Sequence, residues 1–565
     1  MIKLIDLLKE NKCYPSDYTS GKTYGRDILA QIFTCLTGNP KDFPVLAIKE
    51  MMFPLEPGGG FTNKDPKALL EDFPQEIILH NVLGVSLEAQ KKFKEAAETY
   101  RNLLKIQPQF AEMQFNLGSV LYQMGDSEGA IFHYQKAIQI KPDLVVAYFN
   151  LGIAYQSQSE FDKALSAYQR AIELEPGFYE AHGSIGAVYL VQGEFDQAIQ
   201  SFKQSLKIQD HARGHFNLGN AYRNQGHLEE AIQSYRKAIE KNPQDAEVCS
   251  VIGDALWHQG EIAEANRWLR EAVSINPENP IANYNLATFL HDNKKFQDAY
   301  EFYKVSQLND WEERALYCLY KTKQFDTFEK ELSVAMVKKN ISPLLATLST
   351  HFAKNFHKKD EYNFCPDPLH FAFHGQVDAL KDPKDNLLQS LLSDINEADI
   401  SERMQSRLVN GIQSSGNLFK RKDPSFKRLA EEITLLIKKY FDHYKHEDSM
   451  FIKAFPKTIE FSSSWFVKMQ TGGHLSSHIH EEGWISGAVY LSIPQQKKHP
   501  DEGGIELSVD GDDYPRMHDD FEKKLYLPQV GDVVFFPSSV FHRTIPFSSN
   551  EERICIAFDL KPANF

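Results

Sequence analysis

The sequence has few cysteines, no long apolar run and no excess of basic charge. Its six cysteines among 565 residues are scattered and include no CxxC pair. This usage is typical of reduced thiols in a cytoplasmic protein and argues against a disulfide framework. No segment approaches the ~18–20 consecutive apolar residues that a membrane helix requires. We therefore expect a cytoplasmic protein that does not enter a membrane.

Charge and the first residues exclude further classes. The net charge of −15 repels nucleic-acid phosphates and anionic lipids, so neither is an expected partner. Residues 1–12 alternate Leu and Ile with charged residues, which predicts a short amphipathic helix without the apolar core of a signal peptide. Proline and glycine interrupt residues 1–70, and we assign that N-terminal region no role.

Small residues recur along the first half of the chain at a fixed period. Two series keep spacings of 34, 34, 34, 33, 34 and 34 residues. Prolines stand at most of the boundaries between the copies. A period of this length predicts stacked helix pairs in which small residues let the helices touch. The first series is Gly84, Gly118, Gly152, Gly186, Gly219, Gly253 and Ala287, and the second is Ala96, Ala130, Ala164, Ala198, Ala231, Ala265 and Ala299.

This pattern resembles the tetratricopeptide repeat. The resemblance implies seven repeats over 71–310 that form an α-solenoid, a right-handed superhelix with a concave inner surface. Such arrays commonly hold an extended peptide or protein, although a spacer without ligand is the alternative. Residues 311–356 still show helical periodicity, and the segment 311–370 is expected to form a helical cap or linker.

The pattern changes in residues 371–565. Leu387 to Ile395 and Phe426 to Phe441 have helical periodicity, and short β-rich segments follow. Helices followed by seven or more short strands predict a small sandwich or barrel with helices packed against it. The expected strands are Ser464–Met469, Leu475–His480, Ile485–Ile493, Gly504–Val509, Lys524–Leu527, Asp532–Pro537 and Arg553–Leu560.

Three histidines in this region are candidate metal ligands. His478 and His480 would point to the same face of one strand, because strand side chains alternate. His542 follows a later strand and could complete a three-sided site. A single histidine is more often structural, but the pair in phase with a distant partner favours a metal.

The ordered set of motifs resembles the 2-oxoglutarate- and Fe(II)-dependent oxygenases of the prolyl-hydroxylase branch. The set consists of Gly472, His478-x-His480, Val489-Tyr490-Leu491, Gly503-Gly504-Ile505-Glu506-Leu507, Gly531-Asp532, Phe535-Phe536-Pro537, His542 and Arg553. The resemblance covers about 455–562 and implies a double-stranded β-helix (jelly-roll) domain. It also implies Fe(II) as the metal and 2-oxoglutarate as the co-substrate.

Carried over from the family, His478 and His542 fall on its two histidine ligands. His480 falls where the family usually has a carboxylate ligand. The chain is therefore similar to a subset of these oxygenases in which an HxH pair stands in place of the usual HxD. Replacing that carboxylate with neutral imidazole raises the charge of the metal site by one. In a competing register, Glu482 supplies the carboxylate after His480.

Two further residues match the family's site for the far carboxylate of 2-oxoglutarate. Arg553, eleven residues after His542, has the planar fork of donors that pairs with a carboxylate. Tyr490 falls where a supporting hydroxyl is usual. The alternative for Arg553 is a solvated cation at the end of a strand, beside Glu551 and Glu552.

The resemblances together imply an oxygenase that uses O₂ and 2-oxoglutarate to hydroxylate a protein or peptide recruited by the repeats. Two alternatives remain. The chain could be a scaffold whose β domain binds metal only structurally, or an oxygenase of small metabolites in which the repeats serve assembly.

Overall fold

The computed structural model describes residues 77–308, 310–338, 342–362, 364–397, 400, 402–403, 407–481 and 483–561. The chain divides into two compact units, Met1–Ala265 and Asn266–Phe565. The amphipathic helix expected at 1–12, the region 1–70 and the alternative ligand Glu482 all lie outside the described residues. Among the described helices, none combines the length and apolar character needed to cross a membrane.

The described part of the first unit consists of helix pairs. Each helix has 13 or 14 residues, and a short turn separates it from the next. The helices are α1 (Ile77–Ala89), α2 (Phe93–Ile106), α3 (Ala111–Gln123), α4 (Ser127–Ile140), α5 (Val145–Ser157), α6 (Phe161–Leu174), α7 (Tyr179–Gln192), α8 (Phe195–Ile208), α9 (Ala212–Gln225), α10 (Leu228–Lys241) and α11 (Ala246–His258), with α12 (Ile262–Ile275) at the boundary of the two units.

The repeated glycines let the helices of each pair pack closely. A Cβ atom on Gly152 would lie 2.5 Å from the ring of Tyr168, and Gly118 and Tyr134 make the same kind of contact at 2.8 Å. The repeated alanines on the facing helices are fully buried, as the spacing predicts. The 34-residue period therefore determines which faces of the paired helices are in contact.

The second unit begins with more helices. It contains α13 (Pro280–Asp292), α14 (Phe296–Ser306), α15 (Trp311–Lys321), α16 (Phe325–Val337), α17 (Pro343–Asn355), α18 (Asp378–Lys381), α19 (Leu387–Glu397), α20 (Pro424–Tyr444) and α21 (Met450–Lys453). The helical predictions at 311–356, 387–395 and 426–441 are confirmed.

Two antiparallel sheets form the core of the second unit. The larger sheet has the order β1-β8-β5-β10-β4-β3-β2, and the smaller has the order β7-β6-β9. This arrangement confirms the expected β domain with supporting helices. The strands are β1 (Phe373–Gln376), β2 (Glu402–Arg403), β3 (Leu408–Ser414), β4 (Phe461–Leu475), β5 (Ile485–Ser492), β6 (Ile505–Ser508), β7 (Lys523–Tyr526), β8 (Asp532–Pro537), β9 (Phe541–Thr544) and β10 (Arg553–Leu560).

The strand expected at Leu475–His480 is wrong. β4 is longer than predicted and ends at Leu475, and the following segment is irregular. Strands β1, β2, β3 and β9 are absent from the predicted set, and β9 carries His542. At four residues, β9 is too short for its own alternation to be distinguished from a loop.

Helices α15 and α17 pack against the loop that follows β6. Nε2 of buried His351 lies 3.0 Å from an oxygen of Asp510, and the hydroxyl of Tyr317 donates to Asp512 at 2.7 Å. The hydroxyl of Thr347 donates to the carbonyl of Ser539, just before β9, at 2.7 Å. The acidic stretch that begins at Asp510 has the composition of an exposed hairpin turn. In the structure, its carboxylates instead form hydrogen bonds with side chains of helices α15 and α17.

Candidate metal centre

Three histidine side chains converge near the junction of the two sheets. One ligand nitrogen from each of His478, His480 and His542 lies within 4.8 Å of the others. The ring centroids of His478 and His542 are 4.2 Å apart, and Nε2 of His480 is 3.4 Å from Nε2 of His478. Spacings of this size suit nitrogen ligands that share one metal ion.

The backbone holds His478 directly opposite His542. The two residues form an antiparallel bridge in which each N–H donates to the other's carbonyl, at 3.1 and 3.0 Å. The N–H of His480 donates to the carbonyl of Ser538 at 3.1 Å. The segment that carries His478 and His480 is thus extended and anchored without being a regular strand, so the predicted proximity holds although the predicted strand does not.

The hydrogen bonds at Nδ1 fix the tautomers of the first two histidines. Nδ1 of His478 faces the carbonyl of Ser476 at 2.7 Å, and Nδ1 of His480 faces a carboxylate oxygen of Asp559 at 2.5 Å. Both acceptors require a proton on Nδ1, which leaves the lone pair on Nε2. The Nε2 atoms of the two rings face each other across 3.4 Å, a separation that a shared metal ion can bridge.

Burial keeps two of the imidazoles neutral. Desolvation, together with the neighbouring His480, lowers the pKa of His478 to about 3. Desolvation and the other two histidines lower the pKa of His542 well below its ordinary value. Since only neutral imidazole binds a metal, both side chains are available as ligands at neutral pH.

His480 is supported from its far side by a buried carboxylate. One oxygen of Asp559 contacts Nδ1 of His480 and accepts from Ser486 at 2.7 Å, and the other accepts from Ser463 at 2.9 Å. Burial opposes ionisation of Asp559, but His480 and these serines hold the pKa of its carboxyl below the usual value. Sequence reasoning misses this residue, because an aspartate within a β-rich segment has no motif of its own.

Arg553 begins β10 and is buried, with only 2% of its surface exposed. Its Nε donates to the carbonyl of Gly503 at 3.1 Å, and its guanidinium lies 5.0 Å from the ring centroid of Tyr490. No carboxylate among the described residues forms an ion pair with it. The alternative of a solvated cation is therefore wrong. A buried, unpaired guanidinium needs an anion to offset its desolvation.

The hydroxyl of Tyr490 is buried next to this arginine. Tyr490 is fully buried, and its oxygen has no hydrogen bond of good geometry among the described residues, although the guanidinium of Arg553 lies close enough to interact with it. Burial raises its pKa, so the hydroxyl keeps its proton and can donate. Tyr490 and Cys555 belong to an apolar cluster between the sheets that includes Met469 and Leu507. An apolar interior that contains a cation and a phenol able to donate suits a carboxylate.

Two other charged residues lie next to the histidines. Arg407 donates to the carbonyl of Ser477 at 3.1 Å, and Glu481 forms an ion pair with Arg314 of α15 at 2.6 Å. Arg543, which alternation predicts to face away from His542, is exposed and pairs with Glu506. Glu481 is therefore engaged outside the cluster of histidines.

Comparison with protein families identifies both parts of the chain. Residues 463–559 match a family described as "Putative 2OG-Fe(II) oxygenase". Models of the tetratricopeptide repeat match residues 86–125, 118–159, 145–178, 179–211, 212–245 and 250–310. None of the curated proteins matches the chain.

The chain is also similar to solved structures that each cover part of it. MamA is 28% identical, covering 30% of this chain and 94% of its own, with a TM-score of 0.28. A thermophilic tetratricopeptide protein of Thermus thermophilus is 26% identical, covering 32% of this chain and 100% of its own, with a TM-score of 0.28. Part of a repeat protein of Cytophaga hutchinsonii is 16% identical, covering 41% and 94%, with a TM-score of 0.34.

Proposed function

Because this chain joins tetratricopeptide repeats to a domain of the 2OG-Fe(II) oxygenase family, we propose that it is a hydroxylase dependent on Fe(II) and 2-oxoglutarate. Its substrate is a protein or peptide recruited by the repeats. The observation that carries the proposal is the buried guanidinium of Arg553, which has no carboxylate partner among the described residues, beside the unpaired hydroxyl of Tyr490.

The three histidines fit a divalent iron ion. His478, His480 and His542 present imidazole nitrogens within 4.8 Å of one another, and imidazole is a common ligand of Fe(II). Three protein ligands leave coordination positions for a keto acid and O₂. Iron bound there would couple the oxidative decarboxylation of 2-oxoglutarate to hydroxylation of an unactivated C–H bond.

Arg553 and Tyr490 fit the far carboxylate of 2-oxoglutarate. The guanidinium offers charged donors and the phenol offers one neutral donor, and both lie in an apolar interior. A charge-assisted hydrogen bond of this kind contributes roughly 1.5–3 kcal/mol. The two side chains thereby orient the keto acid, while the surrounding apolar side chains exclude water from the reaction.

The repeats argue for a large substrate, and the cysteines argue for a location in the cytoplasm. Tetratricopeptide arrays hold extended chains, and a tethered array raises the concentration of its ligand near the attached domain. A reduced compartment also suits the buried cysteines Cys249, Cys318, Cys365 and Cys555, which form no disulfide. Cys13 and Cys35 lie outside the described residues.

One observation favours a second candidate function. Three imidazoles without a carboxylate ligand also suit Zn(II), Cu(II) and Ni(II). If such a metal is bound structurally, the protein is a scaffold that uses its repeats to bind partners. The pocket around Arg553 would then have no anion to hold.

Succinate production tests the proposed function. The full chain, supplied with Fe(II), 2-oxoglutarate, ascorbate and O₂, is expected to form succinate even without its substrate, at a slow uncoupled rate. His542→Ala should abolish this production, whereas His499→Ala, at a histidine whose side chain is 75% exposed, should not affect it. A metal-loaded wild-type protein that forms no succinate would support the scaffold.

A further inference from the structure

The carboxylate of Asp559 lies on the side of His480 that faces away from the other histidines. The Nε2 atom of His480 faces His478 at 3.4 Å, while its Nδ1 faces Asp559 at 2.5 Å. We propose that Asp559 supplies, through the ring of His480, the negative charge that a directly coordinating carboxylate would otherwise provide. This inference rests on the proposed function, since it assigns a role toward the metal held by the three histidines.

A metal site with three neutral imidazoles has a higher positive charge than one with a carboxylate ligand. Hydrogen bonding of the distal ring nitrogen to a carboxylate makes an imidazole a more basic ligand and fixes its orientation. The His480–Asp559 pair therefore behaves as one unit with an anionic outer end. It offsets the charge difference that the replacement of the usual carboxylate creates.

The charge of Asp559 is directed at the histidines. Among the described residues, no lysine or arginine forms an ion pair with Asp559, and His480 is its ionisable partner. A carboxylate with 8% of its surface exposed would be costly without compensation. Its remaining hydrogen bonds come from neutral serine hydroxyls, which stabilise the anion without neutralising it.

The sheet holds this carboxylate firmly. Asp559 lies on β10 directly across from Ser463 on β4 and Ser486 on β5, and these neighbours are its two hydroxyl donors. The loop after His480 passes close above it, because a Cβ on Gly483 would lie 3.3 Å from the Cβ of Asp559. β10 therefore positions both Asp559 and, at its other end, Arg553.

A purely structural role is the alternative. In that case Asp559 would only tie three strands together through Ser463 and Ser486, and its loss would affect folding rather than the metal. The chain offers a matched control in Asp510, a second buried carboxylate that contacts a buried histidine. Its Oδ1 lies 3.0 Å from Nε2 of His351, which is not a member of the three-histidine cluster.

The first test is the Co(II) affinity of Asp559→Asn in the full chain, with Co(II) as a spectroscopic substitute for Fe(II). We expect the dissociation constant to rise about 10- to 100-fold and the visible Co(II) bands to shift, because the ligand field of His480 weakens. Asp510→Asn should lower the melting temperature but leave the Co(II) affinity and spectrum unchanged.

A charge-swap experiment separates the electrostatic role from a structural one. His480→Asp introduces a carboxylate ligand next to Asp559, and the two like charges should repel and weaken Co(II) binding. Adding Asp559→Asn to His480→Asp should then strengthen binding. Asp559→Asn thus weakens the site when residue 480 is histidine and improves it when residue 480 is aspartate.

The outcomes distinguish this inference from the proposed function. Unchanged Co(II) affinity and spectrum in Asp559→Asn, or weakening in both backgrounds, would overturn the role of Asp559. If the reversal occurs but 2-oxoglutarate does not perturb the wild-type Co(II) spectrum, the proposed function fails and the role of Asp559 stands. If 2-oxoglutarate perturbs the spectrum but no reversal occurs, the proposed function stands and the role of Asp559 fails.

Discussion

At the scale of single residues, Tyr490 and Arg553 are neighbouring polar groups whose hydrogen-bonding capacity the protein itself leaves partly unused. The phenol of Tyr490 is buried without a partner among the described residues, and Arg553 is buried without a carboxylate. Unpaired buried polar groups lower stability. Their presence side by side is best explained by a ligand that pairs with both.

Tyr490→Phe tests this explanation directly. Because the hydroxyl makes no hydrogen bond in the described structure, its removal should leave the free energy of unfolding unchanged or slightly higher. The dissociation constant of 2-oxoglutarate should rise about 2- to 10-fold, as expected for one lost hydrogen bond of ~0.5–1.5 kcal/mol. Calorimetric titration of the metal-loaded protein and thermal unfolding measure the two effects. Lower stability with unchanged affinity would contradict the assignment.

Glu313 should make stability depend on pH. Burial raises the pKa of Glu313 to about 7 from an ordinary 4.5, opposed by the hydroxyl of Ser342 and by Arg314. The folded protein binds the proton on the Glu313 carboxyl more tightly than the unfolded chain does, so protonation of Glu313 stabilises the folded state. This contribution is complete below pH 4.5 and is lost as the pH rises to about 7.

Glu313→Gln should therefore raise the free energy of unfolding above neutral pH by about 1–2 kcal/mol, and the gain should disappear in acid. Urea unfolding at several pH values measures it. Glu522→Gln, at a side chain that is 60% exposed, is the control and should change little. A gain for Glu313→Gln that is the same at every pH would refute the prediction.

At the scale of helices and strands, the repeat helices and their close packing can be predicted from the sequence, whereas the conformation of short or irregular segments cannot. The repeat helices follow from the spacing of Gly152 and its equivalents, because only small residues allow the contact with an aromatic ring. Alternation alone predicts a strand at His478 and His480, and it does not predict strand β9. The place of β9 opposite His478 depends on contacts distant in sequence, which no local pattern reports.

Gly152→Ala tests the close packing of the repeats. The added Cβ would lie 2.5 Å from a ring atom of Tyr168, so the helices must separate. We expect a loss of about 1–3 kcal/mol, the usual cost of overpacking. Gly177→Ala is the matched control, since no atom lies within 4 Å of its Cβ position, and it should be neutral. Equal stability of the two variants, measured by chemical unfolding, would rule out this packing account.

At the scale of the whole molecule, the order of repeats and oxygenase domain is predictable from motifs, whereas the contacts made by the segment between them are not. Hydrogen bonds join α15 and α17 to the loop after β6 and to Ser539, just before β9. Such contacts carry no sequence signature. We propose that the segment 311–370, expected as a cap or linker, folds as part of the oxygenase domain 371–565.

Removing the repeats of the first unit should separate recruitment of the protein substrate from the reaction catalysed by the oxygenase domain. A chain that starts at residue 276, between α12 and α13, should bind Fe(II) and 2-oxoglutarate as the full chain does. Its KM for a protein substrate should rise at least about 10-fold through loss of the tethered array. Steady-state kinetics on the protein and on a short peptide from it provide the comparison. Equal KM values for both chains would favour repeats that serve only assembly.

The central claim is that the three histidines and Arg553 together bind Fe(II) and 2-oxoglutarate. An anaerobic titration of metal-free protein with Fe(II) and then 2-oxoglutarate tests it, because a keto acid chelated to ferrous iron has a visible charge-transfer band. We predict a saturable band that is absent in His542→Ala and requires far more 2-oxoglutarate in Arg553→Lys. Iron bound without any band at saturating 2-oxoglutarate would contradict the account.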